Sequence, residues 1–298
     1  MTNRQGRYYL GRIHKGGVLT TEKVLEAMRS PITILRGKYK WTIVGVQEGI
    51  VSEKKYLYGE LIKYDDNGEV AVVDEKKKVE QTLTAPGLIV DKSPFVFFES
   101  FSGFSYQHVW NSIPENIFRR RMAELISEKY DYFFVPCEIE PISDMREFTT
   151  KISEMESITE IKAKVFPPNP LFGACWELLK KYLFERRTQV LDIKEEGDKN
   201  STGINTEIRA VIESVAAGKG LDGCAPLPLA DAAVLMATVG TGRGKVTGVD
   251  SKGVQIVVNT AETQKSFLFS KSPDSRLLAI ETYRQHVSII KERNMRHA

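Results

Sequence analysis

The chain has 298 residues, of which 42% are apolar and 27% charged, and its formal net charge is +3. That composition excludes a disordered or fibrous chain, and a charge so near neutral leaves the nature of any partner open. No apolar run approaches the roughly 18 residues that span a bilayer, and Met1-Thr-Asn-Arg-Gln-Gly lacks the basic-then-apolar pattern of a secretory signal.

In chain order, the first hundred residues read mainly as strands, over 8–13, 40–46 and 56–64. A short helix from 20 to 29, capped by a threonine, separates the first two. Asp65-Asp66-Asn67-Gly68 reads as a hairpin, because Asn-Gly accepts the positive φ of a type I′ turn, with residues 69–74 returning along the preceding strand. Further strands cover 87–90 and 94–98 and run on to Phe104. Together they predict a curved antiparallel sheet.

Near Pro114 the apolar period changes from two to 3.6, and Ile117, Phe118, Ala123 (or Met122), Leu125 and Ile126 mark a helix. A strand at 132–139, a helix capped by Ser143 or Asp144 and a strand at 158–166 follow, arranged as α+β with a split βαβ option. Beyond Pro167-Pro-Asn-Pro170 come a helix at 171–187, a strand at 188–193, helices near 207–217 and 229–237, and a hairpin of 244–249 with 254–259. Asp274 caps a long final helix, where Leu277, Ile280, Tyr283, Val287 and Ile290 form an apolar stripe. That stripe serves either as core against the late hairpin or as a face for homo-oligomer assembly. The expected fold is α+β: a curved antiparallel β-rich domain over 1–113, then an α+β domain over 114–298 with a long C-terminal helix.

Charge is unevenly spread. Residues 1–40 hold nine basic side chains against two acids, +7, and residues 276–298 carry +3, while the middle is mildly acidic. Arg4, Arg7, Arg12 and Lys15, interleaved with Tyr8 and Tyr9, suit a nucleic-acid backbone and its bases. A solvated sheet face is the alternative. Arg119-Arg120-Arg121 on a helix and Arg243 with Lys245 in a glycine-rich basic loop are further candidates. That loop, Gly240-Thr-Gly-Arg-Gly-Lys245, lacks both the leading glycine and the trailing hydroxyl of a P-loop.

Glu160-Ile-Lys162 and Asp192-Ile-Lys194 place an acid and a lysine on one face of a strand. Metal-dependent nucleases use that spacing, with the acid on a divalent ion and the lysine on the phosphate or the attacking water. The Pro-Asp that ordinarily precedes it is missing. Cys137, Cys175 and Cys224 fit no zinc knuckle or CxxC pair and read as reduced cytoplasmic thiols. His14, His108, His286 and His297 have no second ligand at metal spacing, so neither a metal nor a cofactor is expected.

Tyr58-Gly59-Glu-Leu-Ile-Lys-Tyr64, the aromatic strand running into 114–126, and Ile161 to Phe166 ending in Pro167-Pro-Asn-Pro170 carry a resemblance. The layout resembles cytoplasmic bacterial proteins of about 300 residues, uncharacterised, that occur in phage-defence and mobile-element loci. It covers the first 190 residues and implies a context without residue roles. The expected function is a nucleic-acid-contacting, non-enzymatic subunit of a bacterial anti-phage defence assembly, touching DNA or RNA and other defence-system subunits, with no membrane span. A divergent metal-dependent nuclease using Glu160, Lys162, Asp192 and Lys194, or a protein-interaction scaffold without nucleic acid, are the alternatives.

Overall fold

The computed structural model describes residues 4–133, 135–166, 174–197, 203–219, 221 and 224–293. Its first half supplies β1 (Gln5–Lys15), α1 (Thr21–Arg29), β2 (Ile34–Arg36), β3 (Tyr39–Val51), β4 (Lys54–Asp65), β5 (Gly68–Asp74), β6 (Val79–Ala85), β7 (Leu88–Phe98) and β8 (Gly103–Gln107). Next come α2 (Glu115–Glu128), β9 (Cys137–Pro141), α3 (Met145–Ser153), β10 (Ser157–Val165), α4 (Glu177–Glu185) and β11 (Leu191–Glu196). The chain continues through α5 (Ile208–Ala216), α6 (Leu229–Met236), β12 (Gly242–Val249), β13 (Gln255–Asn259), β14 (Ser266–Ser270) and α7 (Ser275–Glu292).

A curled antiparallel sheet runs β14-β1-β8-β7-β4-β3-β2, and β9 also pairs with β1. Along one edge of β1, residues 5–9 pair with β14 and residues 11–15 with β9. The run Pro94-Phe-Val-Phe-Phe98 on β7 is apolar throughout because the sheet is covered on both sides. Phe95 and Phe97 join Trp41, Leu61, Phe104 and Tyr106 under α1 and α2. Val96 and Phe98 join Tyr8, Tyr56 and Tyr58 in a cluster that reaches Leu278 and Ala279 of α7. Phe118 of α2 stacks flat on Tyr106 at 4.4 Å, locking that helix to the sheet.

The second sheet, β11-β10-β12-β13, is also antiparallel. Ile161, Ala163 and Val165 of β10 and Val246 of β12 face α6, whose residues Ala230 to Met236 are all buried. A helix buried all round must approach its neighbours closely, and alanines permit it. Gly244 shows how tight the contact is: a Cβ there would lie 3.2 Å from Ala237 Cβ and 3.1 Å from Thr260. On the opposite face Lys162, Asp192, Lys194 and Arg243 are exposed, and β9 approaches it at the Lys164–Arg243 end. The fold class is therefore α+β, with a curled antiparallel sheet at the N-terminus and a C-terminal helix over Ser275–Glu292.

Several local expectations are corrected. Asp65-Asp66-Asn67-Gly68 does not fold β5 back onto β4: β4 pairs with β7, and β5 pairs with β6. Neither Asn67 nor Gly68 has positive φ. The Asp65 carboxylate accepts the Asn67 N–H and turns the chain a corner instead. The true turn follows β5, where Asp74 accepts the N–H groups of Lys76 and Lys77 and Lys78 has φ 54°. The strand expected at 132–139 begins only at Cys137, because Asp131 and Tyr132 adopt φ of 51° and 54° and close the end of α2. The split βαβ is absent among the described residues, since β9 joins the first sheet on β1 while β10 founds the second. Strands β2, β6 and β14 carry no clear signal in the sequence; each is short, and β6 is polar. The basic loop 240–245 is strand from Gly242 onward. On α7 the buried stripe is Leu278, Ala279, Thr282, His286, Ile289 and Ile290, leaving Leu277 and Ile280 exposed. Of the helix expected at 171–187, only α4 and a short turn before it are seen, and residues 167–173 lie outside the described residues, as does His297.

His286 is fully buried, stacked on Phe101 at 5.4 Å and seated over Gly103. Burial, with Arg12 nearby, pulls its pKa from 6.5 down to about 3. The unfolded chain then binds the proton more readily, so stability rises with pH across that interval. Acidification from pH 6.5 toward 3 should remove about 1.4 kcal/mol per pH unit through this residue. Urea titrations at several pH values are expected to show a shallower acid slope for His286→Phe than for the parent; identical slopes would contradict the assignment.

Candidate nucleic-acid interface

The exposed face of the second sheet carries side chains of alternate residues on three neighbouring strands. Across it, Lys162 of β10 lies directly opposite Lys194 of β11 on one side and Lys245 of β12 on the other. Lys164, one step along β10, lies between Asp192 and Arg243. Glu160 lies between Glu196 and Thr247. Five cations and three carboxylates thus share one open face.

Like charges directly opposite each other on a sheet are destabilising, and here three lysines form one row. Glu160 offsets part of the repulsion. Its carboxylate accepts Lys245 Nζ at 3.0 Å, and Lys194 Nζ approaches it at 3.4 Å. The Lys245 hydrogen bond, reinforced by Lys194, holds the Glu160 carboxyl below its ordinary pKa. Lys194 is also paired with Glu196, which raises its pKa. Lys162, at the centre of the row and exposed, forms no ion pair among the described residues.

The same surface continues beneath α2. An open groove of about 690 Å³ is lined by Arg119, Arg120 and Tyr132 on one side and by Glu138, Glu140, Lys164 and Arg243 on the other. Arg243 donates to Glu140 at 2.7 Å, while Lys164 reaches Glu138 at 3.2 Å. Desolvation raises the pKa of the buried Glu140, opposed by Arg243. Arg119 donates to the Glu115 carbonyl at 3.3 Å, and Arg120 is exposed with no ion pair among the described residues. Cys137 also lines the groove, but burial pushes its thiol well above the ordinary value, which keeps it protonated and inert.

Of the sequence-derived candidates, Glu160, Lys162, Asp192, Lys194, Arg243 and Lys245 share the sheet face, and Arg119 and Arg120 the adjoining groove. The others lie apart. Arg12 is buried, its Nε without a partner among the described residues, and desolvation beside Arg293 lowers its pKa to about 10. Lys15 is tied to the hydroxyls of Thr21 and Ser102. Arg121 pairs with Glu124 at 2.6 Å and lies over the Trp41 ring. Arg7 is exposed at the β1–β14 edge, bonded to Ser266, and Arg4 is exposed at the start of the chain. Tyr8 is buried against Phe267, whereas Tyr9 is half-buried against His108. Sequence reasoning alone misses Lys164 and Tyr132. The period-two run Glu160-x-Lys162-x-Lys164 holds the signal for the first; nothing marks the second. Among the described residues no group of three His, Cys, Asp or Glu side chains converges to hold a metal, and no helix is long and apolar enough to cross a membrane.

The crowded row makes a direct statement about stability. Replacing Lys162 by Glu sets an anion between two cations and should raise stability by about 0.2–1 kcal/mol, an effect that shrinks in high salt. Thermal unfolding of Lys162→Glu at low and high salt checks this, and a lower Tm at low salt would contradict it.

No curated protein matches the chain. A family model described as a domain of unknown function (DUF4747) matches residues 22–223, and so takes in α2, β9, β10 and β11 but stops short of β12. With more than half its length matched, the chain belongs to this DUF4747 family.

Proposed function

We propose that this chain binds the sugar–phosphate backbone of a nucleic acid across the open face of its second sheet and the groove under α2. The observation that carries this reading is the row Lys194–Lys162–Lys245 with Arg243, Lys164 and Arg120 beside it. A sheet held together only by its own needs would alternate charge sign across that row. Phosphates arriving from solvent relieve the repulsion and release their condensed counterions, which favours binding. The chain acts as a non-enzymatic subunit of a cytoplasmic anti-phage defence assembly, a context supported by the resemblance of the layout at 58–64, 114–126 and 161–170 to proteins of such loci. Glu160 neutralises lysines in this arrangement and does not serve as a metal ligand.

Fluorescence anisotropy with labelled oligonucleotides at two salt concentrations tests the proposal. Lys162→Glu with Arg120→Glu, neither of which disrupts an ion pair among the described residues, should weaken binding to all sequences alike. The slope of log affinity against log salt should flatten by about 0.7–0.9 for each phosphate that is no longer neutralised. Unchanged affinity would move the binding surface elsewhere, and absence of binding by the parent protein would favour the scaffold. Cleavage of the probe on adding Mg²⁺ would favour a nuclease.

A further inference from the structure

We infer that the strand held in this groove is single-stranded, and that the turn after α2 is a stacking platform for its unpaired bases; this rests on the backbone-binding reading above. Tyr132, which lines the groove, is 55% exposed, and Phe133, next along the turn, is 72% exposed. An aromatic ring as large as that of Tyr132 is costly to leave facing water. The backbone makes the arrangement less casual still. Asp131 and Tyr132 both sit in the left-handed region, with φ of 51° and 54°, where a bulky non-glycine residue is an outlier.

The turn is held in that conformation from several directions. Tyr132 N–H donates to the Ser127 carbonyl at 2.9 Å, and the Ser127 hydroxyl donates to Val135 O at 3.2 Å. The Tyr132 hydroxyl donates to Glu128 at 3.1 Å, and Arg36 reaches that hydroxyl at 3.3 Å. The phenol oxygen is thus anchored while the ring lines the groove beside Arg119 and Arg120. Strain maintained by surrounding bonds concentrates where a side chain must be presented.

The chemistry of the ligand follows from what an exposed ring can recognise. In a duplex the faces of the bases are already stacked on each other, and only phosphates and groove edges meet a protein. An unpaired base offers its face, and an aromatic ring next to a cationic track is the arrangement that takes it. Lys162, Lys164 and Arg243 supply the track, and Tyr132, with Phe133 next to it in the chain, supplies the platform.

Anisotropy titrations with a labelled oligothymidine, the matching oligouridine and a duplex, each of about 12 nucleotides per strand, should show the single strands bound at least tenfold more tightly than the duplex. Tyr132→Ala with Phe133→Ala should lower single-strand affinity about tenfold or more, leave duplex binding unchanged, and leave the salt slope intact because every phosphate keeps its cation. Tyr132→Phe keeps the ring and should retain binding, which separates stacking from a collapsed turn. Duplex binding equal to or tighter than single-strand binding, or single-strand affinity unaffected by the double alanine variant, would overturn the inference while leaving backbone binding standing. No binding to any probe would overturn the backbone reading itself.

Discussion

Strand β1 is the constraint on which the rest of the molecule hangs. Its eleven residues pair with β8 along one edge and, on the other, with β14 and then β9. Elements from near the end of the chain are thereby fastened to its beginning. Both faces of the sheet are covered along most of β1, where Tyr8, Leu10 and Ile13 enter hydrophobic clusters. Arg12 and Tyr8 are buried for that reason, and Lys15 commits its ammonium to two hydroxyls. The conspicuous basic excess of the first forty residues is largely absorbed by folding. Arg29 and Arg36 are likewise bound to acids of the same chain.

The opposite holds in the second sheet. There the local charge balance is ordinary, yet antiparallel register stacks lysines from three strands into one row. Repulsion of this kind is a cost the fold bears without structural benefit, and one bridging carboxylate, Glu160, relieves only part of it. Stability and binding therefore make opposite demands on Lys162. The groove beside it combines an ion-paired wall, Glu138 and Glu140 with Lys164 and Arg243, and a less committed wall, Arg119 and Arg120. The less committed wall is α2, while the ion-paired wall joins β9 of the first sheet to β10 and β12 of the second.

Much of the architecture was legible in the sequence. Apolar alternation and caps located α1, α2, α3, α7 and most long strands, with Thr20, Asp144 and Asp274 capping as their side chains allow. What failed were partnerships. The Asn67-Gly68 signal is a local preference, and the competing pairing of β4 with β7 overrode it. Strand β14 is five residues long and becomes a strand only because β1 offers an edge. On α7, the stripe read from 277 to 290 is offset from the buried one by about a residue, because His286 and Thr282 look polar and yet pack inward. The site was legible as candidates and not as a surface. Two acid–lysine tripeptides and a glycine-rich basic segment seemed three unrelated features, and only the β11-β10-β12 register brings them together. The aromatic turn was hidden, since Tyr132 and Phe133 look like strand residues until two left-handed backbones turn them outward.

Chemical footprinting of lysines, read by mass spectrometry with and without a saturating oligonucleotide, distinguishes the row on the second sheet from the other basic surfaces. Lys162, Lys164, Lys194 and Lys245 are expected to lose reactivity together when the oligonucleotide is bound. Lys76, Lys77 and Lys78, at the tip of the β5–β6 hairpin, should keep theirs. Protection of the hairpin tip or the N-terminal edge, with the row on the second sheet still reactive, would contradict the account.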